Sequence, residues 1–310
     1  MHTNQRLGIS IACVAFIVSA ARPAISAPPA PVTVAAVQCS SDLGQVAVNT
    51  RKLTALIEEA AGNGAKIVVL PETAVTGYLS QDLSTNWHVA GKPLDRDFTG
   101  LDPAQYAEPV PGPSTDHFCA LADKLHIYLT IPLLEVDHKE GPDNPRYFNT
   151  VCLANPEGKL VAHYRKLTPW PRPENSWATP GDRGVQTFDT EYGRVGLGIC
   201  FDIHTILEKY QDQNLWALLY PIAWVDSEHP AEWFFHKLPA RVKPFGHHVI
   251  GANWSVDKTQ NWRGYGFSVI ISNEGEVVSS AKSLFGSEIV YADLTTAPKE
   301  RAVAVQGTRD

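Results

Sequence analysis

The sequence predicts a mixed α/β fold, most simply two β-sheets with helices outside, and three observations predict it. Helical and strand periods alternate through the early and middle parts of the chain. Some strand-like runs, such as "AKIVVLPE", are continuously apolar, as strands covered on both faces must be. Antiparallel hairpins are interleaved with them, one turning at "NPEG". Layered sheets with outer helices bury all of these faces.

The elements follow in order. "VTVAAVQC" (Val32 to Cys39) reads as a strand. Leu53, Leu56, Ile57 and Ala60 recur at helical spacing, so a helix runs from about Val46 to Ala61 and stops at Gly62 and Gly64. Ala65 to Glu72 is a strand. Ser114 or Asp116 caps a helix ending near His126, and "IYLTIPLLEV" and "YFNTVCLANPEGKLVAHYRK" follow as strands, the latter a hairpin. "TFDTEYGRVGLGIC" is a second hairpin, then comes a short helix from about Ile203 to Gln211. A strand "WALLYPIAW", a helix from about Ala231 to Val242, and strands in "HVIGANW", "FSVIISNEGEVVSS" and "SEIVYADL" complete the chain.

The 310 residues are 44% hydrophobic and 19% charged, a globular composition. The first residues form a separate unit. Arg6 precedes an uncharged apolar run from Leu7 to Ala20, followed by small residues and prolines. This is the pattern of a secretory signal peptide over residues 1–27, and it implies a secreted or periplasmic protein. The run is short for a membrane span of about 20 residues, so no stable anchor is expected after cleavage. "SIAC" before Cys13 is a poor lipoprotein box, because Ser10 stands where a bulky aliphatic residue belongs. No linker or repeat divides the remainder, so residues 28–310 read as a single domain.

Losing residues 1–27 removes Arg6 and Arg22 and no acidic residue, taking the formal charge from −7 to about −9. So acidic a chain, lacking a basic stripe, is no partner for nucleic acid. Cys39, Cys119, Cys152 and Cys200 remain. Cys39 and Cys152 sit in strand-like runs as small core hydrophobes, and a disulfide among these residues stays open.

Three reactive residues end strand-like runs: Glu72 after "IVVLP", Lys166 after "LVAHYR" and Cys200 after "VGLGI". Singly, each has a structural explanation. Together they make a chemical set. A thiol needs a base or cation to become a nucleophile. A carboxylate can take its proton and deliver it to a leaving amine. A lysine beside a backbone N–H can hold an oxyanion. Gly196 and Gly198 allow close packing on the approach to Cys200.

"VVLPETAVTGY", "HYRKLTPW", "ENSWATPG" and "GLGICFD" resemble, in order, the signature blocks of the nitrilase (carbon–nitrogen hydrolase) superfamily. The resemblance extends to "PIAW" and to "RGYGFSVIISNEGEVV". It implies a four-layer αββα sandwich that pairs through its outer helices as a homo-oligomer. It places Glu72, Lys166 and Cys200 on the catalytic glutamate, lysine and cysteine. Glu174 falls on a second glutamate that orients the lysine, and the Phe201 backbone N–H falls on an oxyanion donor. Tyr78, Trp170, Trp177, His204 and Trp224 lie in or beside the blocks that form substrate walls.

"CFD" and "YPIAWVD" look most like the biotinidase and pantetheinase (vanin) branch, although this chain lacks that branch's extra C-terminal domain. His204 stands where many amidase branches place arginine, and Phe201-Asp202 replaces the Trp-Glu pair of nitrilases proper. The resemblance therefore implies an exported cysteine amidohydrolase that cleaves a small-molecule amide through a thioester, with no cofactor or metal. The alternatives are a nitrilase, an acyltransferase and a non-catalytic secreted binding protein. Glu232 and His236 have helical i, i+4 spacing but no third metal ligand, and the "NWS" sequon at Asn253 ends a strand.

Overall fold

The computed structural model describes residues 30–80, 102–171, 174–224, 230–255 and 266–296. The signal segment 1–27 and the start of the "RGYGF" block lie outside the described residues. The chain order is β1 (Pro31–Gln38), α1 (Val46–Gly62), β2 (Ile67–Val69), α2 (Pro113–Leu125), β3 (Tyr128–Asp137), β4 (Arg146–Ala154) and β5 (Leu160–Arg165). It continues with β6 (Thr187–Thr190), β7 (Gly193–Leu197), α3 (Ile206–Lys209), β8 (Ala217–Ile222), α4 (Pro230–Glu232), α5 (Leu238–Val242) and β9 (His248–Asn253). β10 (Val269–Ile271), β11 (Val277–Ser280) and β12 (Glu288–Thr295) follow.

The strands form two six-stranded sheets, ordered β12-β1-β2-β3-β4-β5 and β11-β10-β9-β8-β7-β6. Each has a parallel centre, β1-β2-β3 in one and β7-β8-β9 in the other, flanked by antiparallel strands. Strand alternation separates the layers. Val34, Ala36, Ile67 and Val69 join one apolar cluster with Leu197, Leu218, Val249 and Val269 of the other sheet. Their neighbours Ala35, Val37, Val68 and Leu70 turn the other way, onto Leu53 and Ile57 of α1 and Phe118 of α2. Ile206, Leu207, Phe234 and Leu238 cover the second sheet. The result is the four-layer αββα sandwich that the resemblance implies.

The elements differ from the sequence reading where backbone detail decides. Gly112, not Ser114 or Asp116, precedes α2, with Pro113 at its first position and the Thr115 hydroxyl bonded to Gly112. Ser114 instead bonds Glu108. The helix expected over residues 231–242 contains a π-helical turn at Trp233–Lys237. The one expected over residues 203–211 begins as a 3-10 turn, Cys200–His204.

Parallel strands carry functional groups off their C-terminal ends, where open α/β sheets bind ligands. Here β2 leads into Glu72, β7 into Cys200 and β8 into Ala223. A backbone bond from Glu72 N–H to the Ile222 carbonyl, 3.3 Å, joins the two sheets at that rim.

Candidate active site

The question about Cys200 is why a core strand should end in a thiol. Its φ is +40°, a left-handed conformation that few non-glycine residues adopt. Such strain persists only where the surroundings impose it. They do so here through Asp202, which is fully buried. Its carboxylate accepts from the N–H groups of Ile199 (3.2 Å) and Thr168 (2.8 Å) and from the Tyr164 hydroxyl (2.7 Å). The Tyr220 hydroxyl donates to the Cys200 carbonyl at 2.7 Å. The turn is thereby tied to β5, to the segment after Lys166 and to β8. At Gly196 a Cβ would stand 2.7 Å from Leu215 Cδ1 and 3.0 Å from the Tyr210 ring, so a larger residue would have to push these side chains away from β7. The Phe201 N–H sits at the start of the 3-10 turn, where amides lack partners within the helix.

Glu72, Lys166 and Glu174 meet in one buried cluster. Lys166 Nζ lies 2.7 Å from Glu72 Oε1 and 2.8 Å from Glu174 Oε2. The two carboxylates are served unequally. Both oxygens of Glu174 are engaged: Oε1 by Lys166 (3.0 Å), Asn149 Nδ2 (2.7 Å) and the Tyr78 hydroxyl (3.2 Å), and Oε2 by Lys166 and the Trp170 N–H (2.6 Å). Glu72 Oε1 receives Lys166 and, at 2.7 Å, Asn149 Nδ2. Glu72 Oε2 is buried with no hydrogen-bond partner. The Trp254 indole N–H fixes the Glu72 carbonyl at 2.7 Å.

The charges respond to this burial. Desolvation raises the Glu72 pKa to about 7; Lys166 opposes the rise and Glu174 adds to it. Burial works against the Lys166 ammonium, but Glu174 and Glu72 outweigh it and hold its pKa above the ordinary lysine range. Burial and Glu72 push the Cys200 thiol well up, while Lys166 and a hydrogen bond from the Ala223 backbone act the other way. Burial likewise lifts Asp202 to about 6. The Cys200 thiol thus lies within the electrostatic reach of Glu72 and Lys166, and the Glu72 carboxyl exchanges its proton near neutrality.

The remaining candidates divide. Tyr78 is buried in the carboxylate network, and Trp170 packs on the cluster of Tyr78, Ala223 and Trp254. Trp177 belongs to a separate cluster with Leu43, Leu79 and Leu134, and its indole N–H is spent on the Leu79 carbonyl at 2.9 Å. Trp224 follows Ala223 and stacks on Trp233, centroids 4.2 Å apart, with His204 against both rings. Arg241 of α5 reaches the same turn and donates to the carbonyls of Ile203 (2.7 Å) and His204.

Glu232 pairs with Lys237, and no group of three metal-ligating side chains occurs among the described residues. The Asn253 amide is buried, accepting from the Trp224 N–H and donating to the Gly266 carbonyl. Cys39, Cys119 and Cys152 are free thiols. No described helix is long and apolar enough to cross a membrane. Asn149 and Tyr220 were not singled out from sequence, and Asp202 was read only as part of "CFD" and given no role; the polar Asn149 within the apolar "YFNTVCLA" run was an available signal.

Residues 33–299 match the family described as carbon-nitrogen hydrolase. The chain is 31% identical to omega-amidase NIT2 of Danio rerio over 260 residues, covering 79% of this chain and 82% of that protein. It is 30% identical to omega-amidase NIT2 of Homo sapiens over 263 residues, with the same coverage. Among solved structures it is similar to Saccharomyces cerevisiae Nit3, described as a member of branch 10 of the nitrilase superfamily. The TM-score is 0.67 at 26% identity, covering 86% of this chain and 91% of that one. An amidase from Nesterenkonia sp., at 18% identity and a TM-score of 0.67 over 86% of this chain and 91% of that one, shares the fold. A variant of that amidase carries the acetamide moiety of fluoroacetamide covalently on its active-site cysteine.

Proposed function

Since the chain belongs to the carbon–nitrogen hydrolase family and is an amidase acting on C–N bonds other than peptide bonds, we propose that it cleaves primary carboxamides through a thioester on Cys200. The observation that carries this reading is the unequal service of the two carboxylates. Glu174 is saturated with donors and can only hold Lys166, whereas Glu72 keeps Oε2 free to exchange a proton.

Glu72 Oε2 takes the thiol proton as Cys200 Sγ attacks the amide carbon, and the carbonyl electron pair moves to oxygen. Lys166 and the Phe201 N–H stabilise that oxyanion. Collapse breaks the C–N bond while Glu72 delivers its proton to nitrogen, releasing ammonia and leaving the thioester. Glu72 then deprotonates water, which attacks the thioester. The thiolate departs with the electron pair of the C–S bond and recovers its proton from Glu72.

The omega-amidase relatives support this substrate class. Export is part of the same proposal and rests on the sequence of residues 1–27. The test is a screen of the purified enzyme against primary amides, secondary amides such as pantetheine and biotinyl conjugates, and nitriles. Ammonia release from primary amides at the highest kcat/KM is expected. Preference for the secondary amides would return the substrate to the biotinidase and vanin resemblance. N-terminal sequencing of the secreted protein should begin near residue 28, and retention of residue 1 would overturn export.

A further inference from the structure

Two like-charged carboxylates share one lysine, and all three side chains are buried. One ammonium between two carboxylates leaves an excess negative charge, and the pair would relieve it by binding a proton. Something else must stabilise the doubly ionised state. Asn149, in the middle of β4 and buried, is placed to do so. Its Nδ2 lies 2.7 Å from Glu72 Oε1 and 2.7 Å from Glu174 Oε1. Both neighbours are acceptors, so the amide must turn its NH₂ toward them and give one hydrogen to each. Its backbone also takes part, because the Asn149 carbonyl accepts the Lys166 N–H at 2.8 Å. One residue therefore touches all three charged members of the cluster.

The geometry points to Asn149 as a positioning residue of the amidase: it clamps the two carboxylates by Oε1 of each and reserves Glu72 Oε2 for proton exchange. This rests on the thioester reading above. Glu72 Oε1, accepting from both Lys166 and Asn149, is a weak proton acceptor, so a proton arriving from the thiol goes to Oε2. A serine at this position would supply one hydrogen and an aspartate carboxylate none. Asparagine supplies two from one nitrogen at the required reach.

The test compares Asn149→Ala and Asn149→Leu with the wild type, as kcat and KM against pH on the best primary amide. Losing hydrogen bonds to charged groups costs about ten- to a hundredfold each. A fall of that order in kcat is expected, with KM within about twofold. The acid limb of kcat/KM should move up by about one pH unit, because the carboxylates lose donors to their charged forms. A merely structural asparagine would lower the amount of active enzyme and leave the limb where it is. A folded variant with an unmoved limb therefore overturns the proposal. So does a loss confined to KM. Should Asn149→Ala fail to fold, Asn149→Leu, close in volume and adding neither donor nor charge, carries the test. Turnover surviving in Cys200→Ser would undo the underlying mechanism instead, whatever Asn149 does.

Discussion

The Lys166 ammonium lies 2.7 Å from Glu72 Oε1, with both side chains sealed from solvent. The lysine is thus a structural counter-ion as well as the proposed oxyanion donor. Lys166→Met keeps much of the stem and removes the cation. Breaking a buried ion pair typically costs about 3–5 kcal/mol, because the partner charge is stranded. Losing an oxyanion donor costs about 10²–10³ in rate. The expected outcome is both: a lower melting temperature and a kcat reduced at least a hundredfold in the remaining folded enzyme. Full activity would make Lys166 a structural charge only.

Glu72→Gln separates acylation from deacylation. The substitution keeps the shape but abolishes proton transfer, worth about 10²–10⁴-fold. An activated ester needs no proton on its leaving group, so acylation should proceed slowly while thioester hydrolysis stalls. Mass spectrometry should show a persistent acyl adduct on Cys200. An adduct that clears at the wild-type rate would remove Glu72 from the mechanism.

The same substitution should show a pH-dependent gain in stability. Burial raises the Glu72 pKa from 4.5 to about 7 in the folded protein. The folded state then holds a proton that the unfolded chain has released, so this group's contribution is full below about pH 4.5 and is lost as pH rises through about 7. The difference is of order 3 kcal/mol. Glu72→Gln should therefore raise the melting temperature relative to wild type more at pH 8 than at pH 5. Equal effects at both pH values would contradict this. Activity runs the other way, with wild-type kcat/KM falling below about pH 7 as Glu72 is protonated.

Acid should unfold the protein through a different carboxylate. Burial disfavours ionised Glu135, but hydrogen bonds from His163 and Arg165 outweigh it and lower its pKa from 4.5 to about 2. Arg165 Nε sits 3.1 Å from Glu135 Oε2, and the Thr150 hydroxyl 2.6 Å from the same atom. A depressed pKa stabilises above pH 4.5 and is lost as pH falls toward 2, here by about 3 kcal/mol. Glu135→Gln should melt lower than wild type at pH 7, and the gap should close by pH 2. A gap independent of pH would mean that packing, not charge, is at stake.

Cys200→Ser should fold normally and lose turnover, since an unactivated hydroxyl is far less nucleophilic than a thiolate. Iodoacetamide should label Cys200 faster than Cys39, Cys119 or Cys152. Burial pushes Cys39 and Cys119 up to about 11, and neither is reached by a carboxylate base and lysine together. Equal labelling of the four would leave Cys200 an ordinary core thiol.

Much of this architecture was readable residue by residue. The alternation in "VTVAAVQ" sends Val34 and Ala36 to one side and Ala35 and Val37 to the other, and the structure puts the second sheet and α1 there. The helical spacing of Leu53, Ile57 and Ala60 likewise marks the buried face of α1. The backbone alone dictates these periods, so local sequence suffices. Glu72, Lys166 and Cys200 stood out because each breaks an apolar strand at its end. The π-helical turn at Trp233–Lys237 carries no such signal; its hydrogen-bond register depends on what packs against it.

What the sequence determined by itself was therefore the order of strands and helices, a mixed α/β fold of two sheets with helices outside, and the candidate reactive side chains. Tertiary structure decided which polar groups serve them. Asn149 is 77 residues from Glu72 and 25 from Glu174, and Tyr164 is 38 from Asp202. A strand's period tells which face a side chain occupies but not what it meets there. That depends on how β4 registers on β3 and on how closely the two sheets approach. Only when β4 and β5 register beside β2, and the segments carrying Tyr78 and Trp170 fold over them, does one carboxylate of the pair find all its donors while the other keeps an oxygen free.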